Sequence, residues 1–254
     1  MPYSTLTITQ SGGIARLTLA RPARKNAIDG TMCGELAAAT AALEADASVK
    51  VVVLSGQGDA FSVGGDIADF VANKHRLHQH ILDMTAAFHA ALLSLHRMDA
   101  PLVVAVNGVA AGGGFSLALH ADLAIARRSA RFVSAYTRSG LTPDGGGTWL
   151  LPRLVGRQRA FDLMATNPTL TAVEAQALGL VSRVVDDDAF EAAVLDVATK
   201  LAALPTGAAG KLKRLLDDSL QRTLAEQLEA ESRALAKNAS APETVARLEA
   251  FLTR

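Results

Sequence analysis

The stretch PLVVAVNGVAAGGGFSLAL, residues 101–119, narrows the possible folds more than any other part of the chain. It is apolar enough to resemble a membrane span, yet it carries Asn107 and four glycines, a poor composition for a bilayer helix. A β-branched run, a glycine turn and a helix start read better as a buried strand feeding a helix. The same grammar occurs upstream, where KVVVLSGQG is a short strand ending in a glycine loop and residues 66–97 are helix-prone. Downstream, GGGFSLALHADLAIA passes from a helix into a third strand. Strand, crossover helix and strand in repetition favour a mostly parallel α/β sheet.

The flanks fit around that centre. Two alternating runs in TLTITQSGGIARLTLARP, broken by Gly12 and Gly13, predict a hairpin within residues 4–20 that stops at Pro22. Helical spacing follows from Asn26 to Ala47. From residue 157 onward helices dominate, with a short strand in VSRVV at 181–185 and a capping box of Thr171 with Glu174. After Pro205 the chain reads as helix throughout. Residues 1–200 are therefore taken as an α/β core and 201–254 as a helical appendage. Half of the 254 residues are hydrophobic but only 4% aromatic, so the core must be built from Ala, Val, Leu and Ile.

Several functions fall away. Lys plus Arg is 25 and Asp plus Glu is 25, which removes the basic footprint of a nucleic-acid binder. Cys33 stands alone, so neither an intrachain disulfide nor a cysteine zinc site is expected, and a reducing compartment fits. The opening MPYSTLTITQSGG lacks a basic-then-apolar leader, so a cytoplasmic protein without membrane attachment is expected. The loop GQGDAF resembles a dinucleotide fingerprint but has Phe61 in place of its third glycine. GAAGKLKR at 207–214 lacks the strand that precedes a phosphate loop. His75, His78, His80, His89 and His96 do not repeat a ligand spacing; they read as a solvated helical stretch, and no metal is expected.

Two strand-to-glycine junctions carry the chemistry: AFSVGGDI at 60–67 and NGVAAGGGFS at 107–116. Glycines leave main-chain N–H groups unshielded, and at a helix start those donors are unpaired and partly positive. Two that converge would make an oxyanion hole. Glycines serving only tight packing or positive φ would leave the same pattern, and spacing alone does not decide.

Taken together, RPARKNAI at 21–28, AFSVGGDI, AVNGVAAGGGFSLALHADL and GLTPDGGGTWLLPRLVG resemble the enoyl-CoA hydratase/isomerase (crotonase) superfamily over nearly the whole chain. The resemblance implies a spiral of stacked ββα units, a C-terminal helical region used in trimerisation, and acyl-CoA thioesters as substrates. It implies an assembly that is a homotrimer or dimer of trimers, with no cofactor beyond the CoA of the substrate. It places the oxyanion hole at the N–H groups of Gly65 and Gly113. CoA would run along Lys25 to Ala27 and along Val63, Asp66 and Ile67, with Phe251 and Arg254 bordering it.

Departures from the family are more informative. Where similar hydratases carry two glutamates, this chain has Ser116 and Tyr136, which puts addition of water by two acids in doubt. Tyr136 is read as a wall of the acyl pocket. Asp144, directly after Pro143, stands where several isomerases of the superfamily carry an aspartate, and the surrounding run is similar to the branch of ring-epoxide and Δ3,Δ2-enoyl-CoA isomerases. The resemblance thus implies an acyl-CoA isomerase using Asp144 as a single base. Burial among neighbours such as Leu141 and Trp149 is the expected means of strengthening that base. A hydratase or hydrolase of the same fold, or a CoA-thioester binding protein without chemistry, are the alternatives. Arg21 and Arg24 are read as surface or hairpin-anchoring charges.

Overall fold

The computed structural model describes residues 3–205 and 207–253. Strands β1 (Leu6–Ser11) and β2 (Ile14–Leu19) form the expected antiparallel hairpin, with Leu6 opposite Leu19. A short 3-10 turn, Pro22–Arg24, leads to α1 (Gly30–Ala45). This helix begins later than the spacing from Asn26 suggests. Asn26 has a left-handed φ of 55° and a buried side chain bonded to the carbonyls of Gln57 and Ala60, while Asp29 caps the helix by accepting from the Met32 N–H.

Among the described residues, one unit then repeats three times. β3 (Val51–Gly56) and β4 (Ala60–Ser62) precede α2 (Ile67–Ala72) and α3 (Leu77–Arg97). β5 (Leu102–Val106) and β6 (Val109–Ala111) precede α4 (Gly113–Ala118). β7 (Leu123–Arg127) and β8 (Arg131–Val133) precede α5 (Gly147–Val155) and α6 (Arg157–Thr166). The first strand of each unit joins a six-stranded sheet and the second a four-stranded sheet, so each ββα unit advances both sheets by one position. β9 (Leu170–Thr171), α7 (Ala172–Ala177), β10 (Arg183–Val185) and α8 (Phe190–Ala202) complete the layers. The large sheet runs β1-β2-β3-β5-β7-β10 and is parallel after the hairpin; the small one runs β4-β6-β8-β9, with its last pair antiparallel. This is the stacked ββα spiral that the motifs imply, and Thr171 and Glu174 do form a capping box at α7.

The unbroken apolar runs of β3 and β5 have a physical reason: both faces of the large sheet are covered. Val52, Leu54, Leu102 and Val104 point into the main core with Leu36 and Leu95, whereas Val51, Val53, Val103 and Ala105 point the other way, onto Phe190 and Val194 of α8. Beyond α8 come α9 (Ala208–Ser219), α10 (Leu224–Ala239) and α11 (Pro242–Leu252). α9 is pinned to the core by Lys213, whose Nζ lies 2.8 Å from the Leu95 carbonyl and 2.9 Å from Asp122 Oδ2. α10 and α11 carry exposed leucines, among them Leu224, Leu235 and Leu248. No described helix is long and apolar enough to cross a membrane.

Candidate active site

The site forms where the strand ends of both sheets release their glycine loops. After β4 the chain turns through Val63, Gly64 and Gly65 beside residues 25–28. The Val63 N–H donates to the Lys25 carbonyl (3.2 Å), Ile28 to Gly64 (2.8 Å) and Asp66 to Ile28 (2.8 Å). In this parallel bridge the flanking groups are consumed, and the N–H of Gly65 is left on the opposite side. After β6, Gly112 donates to Val133 (3.1 Å), and Gly113 opens α4, where an N–H has no helical acceptor. Among the described residues, neither the Gly65 nor the Gly113 N–H is engaged in a hydrogen bond.

The two loops touch. A Cβ on Gly64, whose φ is +86°, would lie 2.7 Å from the Gly113 nitrogen, and one on Gly114 would lie 2.3 Å from the Ser62 carbonyl oxygen. Only glycine tolerates that approach. Close packing and amide presentation are thus the same arrangement, not competing explanations of one motif.

Gly65 and Gly113 line a pocket of about 440 Å³ whose other walls include Ile28, Val63, Phe70, Met84, Phe88, Tyr136, Leu141 and Asp144. Asp144 is the one carboxylate among its described lining residues. Its side chain is one-third exposed, and Oδ1 lies 2.7 Å from Nε2 of His89 on α3. Asp144 is therefore held by a hydrogen bond and not sealed by burial. Leu141 lines the pocket as expected, but Trp149 does not: it is 40% exposed on α5, with the Arg153 guanidinium 3.8 Å from its ring centre. The ring turns outward because α5 faces the core with Gly147 and Leu151.

Tyr136 fills the pocket wall. Its hydroxyl is 3.4 Å from Ser116 Oγ and 3.5 Å from the Asp144 carbonyl. Burial pushes its phenol up to about 12, so it is a neutral donor at physiological pH. Cys33 also lines the pocket, and burial pushes its thiol up to about 12, which leaves it inert.

The remaining sequence-derived residues sit as follows. Lys25 is exposed and in the left-handed region, Ala27 is buried, and Ile67 is exposed at the pocket edge. Asp66 is buried; its carboxylate caps α2 through the N–H groups of Ala68 and Asp69 and pairs with Arg21 (3.1 Å) and Arg24 (3.2 Å). Burial opposes its ionisation, but the Arg21 hydrogen bond, the Asp69 N–H and the positive charges of Arg24 and Arg21 hold it below the usual carboxylate range. Arg21 is no surface charge: it bridges Asp29 and Asp66 and bonds the Ala27 carbonyl, tying the two loop segments together. Phe251 is exposed on α11, and Arg254 lies outside the described residues.

His75 and His78 are exposed, as a solvated stretch predicts, but two other histidines of the stretch are engaged. His80 is buried against Asp69 at 2.7 Å, and His89 meets Asp144. Neither is a free solvated side chain, because α3 lies along the pocket. Nothing in the local sequence announces the His89–Asp144 pair, whose members are 55 residues apart. Among the described residues, no group of three His, Cys, Asp or Glu side chains is arranged to hold a metal.

The sequence profile of the enoyl-CoA hydratase/isomerase family matches residues 9–254, and the chain belongs to that family. It is 37% identical over 220 residues to 1,2-epoxyphenylacetyl-CoA isomerase of Escherichia coli K12, covering 86% of this chain and 84% of the relative. It is 32% identical over 250 residues to 4-chlorobenzoyl coenzyme A dehalogenase-1 of an Arthrobacter species, covering 98% and 91%. A Thermobifida fusca YX protein assigned to the enoyl-CoA hydratases, crystallised with acetoacetyl-CoA, matches with a TM-score of 0.85 at 36% identity, covering 94% of this chain and 96% of that one.

Proposed function

We propose that the protein is an acyl-CoA isomerase that shifts a double bond, or rearranges a ring epoxide, in a CoA thioester. The observation that carries this reading is the pair of unengaged amides, Gly65 and Gly113, lining one pocket with a single carboxylate, Asp144. Asp144 removes a proton from the carbon next to the thioester carbonyl. Charge moves onto the thioester oxygen, which the two N–H groups receive, each worth about 3 kcal/mol in comparable sites. Asp144 then returns the proton two carbons further along the dienolate. One carboxylate suffices for both transfers, and the absence of a second one among the described lining residues argues against the two-acid addition of water.

The CoA moiety runs past Lys25, Ala27, Val63, Asp66 and Ile67, with Lys25 reaching a phosphate. Asp66 contributes through main chain, since its carboxylate is already committed to Arg21 and Arg24. Acetoacetyl-CoA in the Thermobifida fusca relative supports a thioester ligand. Homotrimers or dimers of trimers, built through the exposed leucines of α9 to α11, complete the reading.

One observation favours a second reading. With His89 on its Oδ1, Asp144 can act as a nucleophile: an oxygen bonds a substrate carbon, a leaving group departs with the bonding pair, and water deprotonated by His89 cleaves the resulting ester at the Asp144 carboxyl carbon. The dehalogenase relative supports this alternative. Incubation with 3-enoyl-, 2-enoyl-, ring-epoxide and 4-chlorobenzoyl thioesters, with products identified by mass and absorbance, separates the readings. A single turnover in water enriched in heavy oxygen labels Asp144 only in the second. Rapid hydration of a 2-enoyl thioester without interconversion of 3- and 2-enoyl forms overturns the isomerase assignment.

A further inference from the structure

His120 follows α4 and lies beneath the turn that carries Asp144. Its Nε2 is 2.9 Å from the carbonyl oxygen of Gly145. A carbonyl only accepts, so Nε2 carries the hydrogen. Burial pulls the ring down to about 4, so at neutral pH the imidazole is uncharged and Nδ1 is bare. That Nδ1 is itself buried and has no partner among the described residues. A buried polar atom without a partner costs stability, and an apolar side chain of similar size would avoid that cost. The ring is thus poorly suited to packing alone and well suited to the one bond it makes.

Gly145 is the residue after Asp144. His89 holds the Asp144 side chain at 2.7 Å, and two groups besides His120 hold the main chain of the turn: Gly147 donates to the Asp144 carbonyl at 3.3 Å, and the Tyr136 hydroxyl approaches it at 3.5 Å. Of the three main-chain contacts the His120 bond is the shortest, and it comes from the turn that follows α4. The six-residue α4 begins with Gly113 and ends at Ala118, two residues before His120. One short helix therefore presents the Gly113 amide at its start, and the turn directly after its end holds the Asp144-bearing turn through His120.

We propose that His120 is a positioning residue for Asp144: by holding the Gly145 carbonyl it ties the acid-bearing turn to the helix that presents the Gly113 amide. The proposal rests on Asp144 being the reacting carboxylate. It fixes the separation of carboxylate and amide, on which proton transfer along a bound dienolate depends, and misplacement by about 1 Å can cost roughly 100-fold.

The test uses the full-length enzyme and conversion of trans-3-hexenoyl-CoA to the conjugated 2-enoyl thioester. His120→Leu, which keeps bulk without a donor, lowers kcat roughly 10- to 100-fold with KM within about twofold. His120→Gln, which keeps an N–H at similar reach, restores most of the loss. The double variant with Asp144→Asn is no slower than Asp144→Asn alone. Unchanged kcat in His120→Leu, equal loss in the Gln variant, or additive loss in the double variant overturns the proposal. Full activity in Asp144→Asn instead removes the reading beneath it. Should His120→Leu not fold, ring nitrogen-15 shifts of the wild-type enzyme decide: an Nε2-protonated ring with a slowly exchanging hydrogen supports the bond, and an Nδ1-protonated ring refutes it.

Discussion

The two walls of the pocket are built on different principles. The glycine wall is main chain alone: Gly65 and Gly113 are fixed by hydrogen bonds of their neighbours, and nothing in it rotates or titrates. The acid wall is side chains: Asp144 is one-third exposed, its partner His89 is 47% exposed, and Tyr136 reaches Ser116 only at 3.4 Å. A rigid set of donors aimed at one oxygen needs no reorganisation as charge develops. Groups that can reorient and exchange protons with water are suited to differ in what they do with the resulting anion. Relatives of this chain are named isomerase, dehalogenase and hydratase.

The sharpest break between the walls is Asp144→Asn, which removes the proposed reacting group while leaving the amides in place. Steady-state assays should show kcat lower by roughly 10³- to 10⁴-fold with binding of the thioester retained. Gly64→Ala attacks the other wall, because its Cβ would lie 2.7 Å from the Gly113 nitrogen at a φ of +86°. A loss of roughly 10²- to 10³-fold in kcat is expected, with a lowered unfolding temperature by calorimetry. If that variant keeps wild-type kcat, the amides are not where the charge goes.

The third test concerns stability. The ordinary histidine value is 6.5 and burial lowers His120 to about 4, so between those values the unfolded chain binds a proton that the native one does not. Native stability must then fall as pH drops from 6.5 toward 4, by about 3 kcal/mol in all. Denaturant unfolding of His120→Gln should lack that part of the slope. The smallest effect belongs to His89→Gln. Under the isomerase reading His89 only holds Asp144, and turnover should drop by no more than ~10-fold; a drop of roughly 10²- to 10⁴-fold would instead point to the second reading, in which His89 activates water.

The difference between the walls also explains what was legible in the amino-acid order. Glycine amides are encoded by contiguous motifs, VGGDI and AAGGGFS, lying between a β-branched strand and a helix, so both the fold and the unengaged amides proposed as oxyanion donors are legible locally. The valine runs of β3 and β5 and the Thr171–Glu174 box are local in the same sense. The pairing of His89 with Asp144 is not, since it depends on how α3 crosses the loop before α5. The role of Arg21 is not local either, because its anchors Asp29 and Asp66 belong to different turns of the spiral. The direction of Trp149 is not legible because a lone aromatic on a helix of mixed polarity does not reveal which way it faces; the Arg153 guanidinium stacks on its ring.

The most direct measurement follows the thioester carbonyl itself. A carbon-13-labelled 3-enoyl-CoA bound to the Asp144→Asn variant should show its carbonyl stretch shifted to lower frequency in infrared difference spectra, and the shift should vanish when Gly64→Ala is added. A carbonyl frequency equal to that of the free thioester, in a variant that still binds it, would contradict the assignment of Gly65 and Gly113.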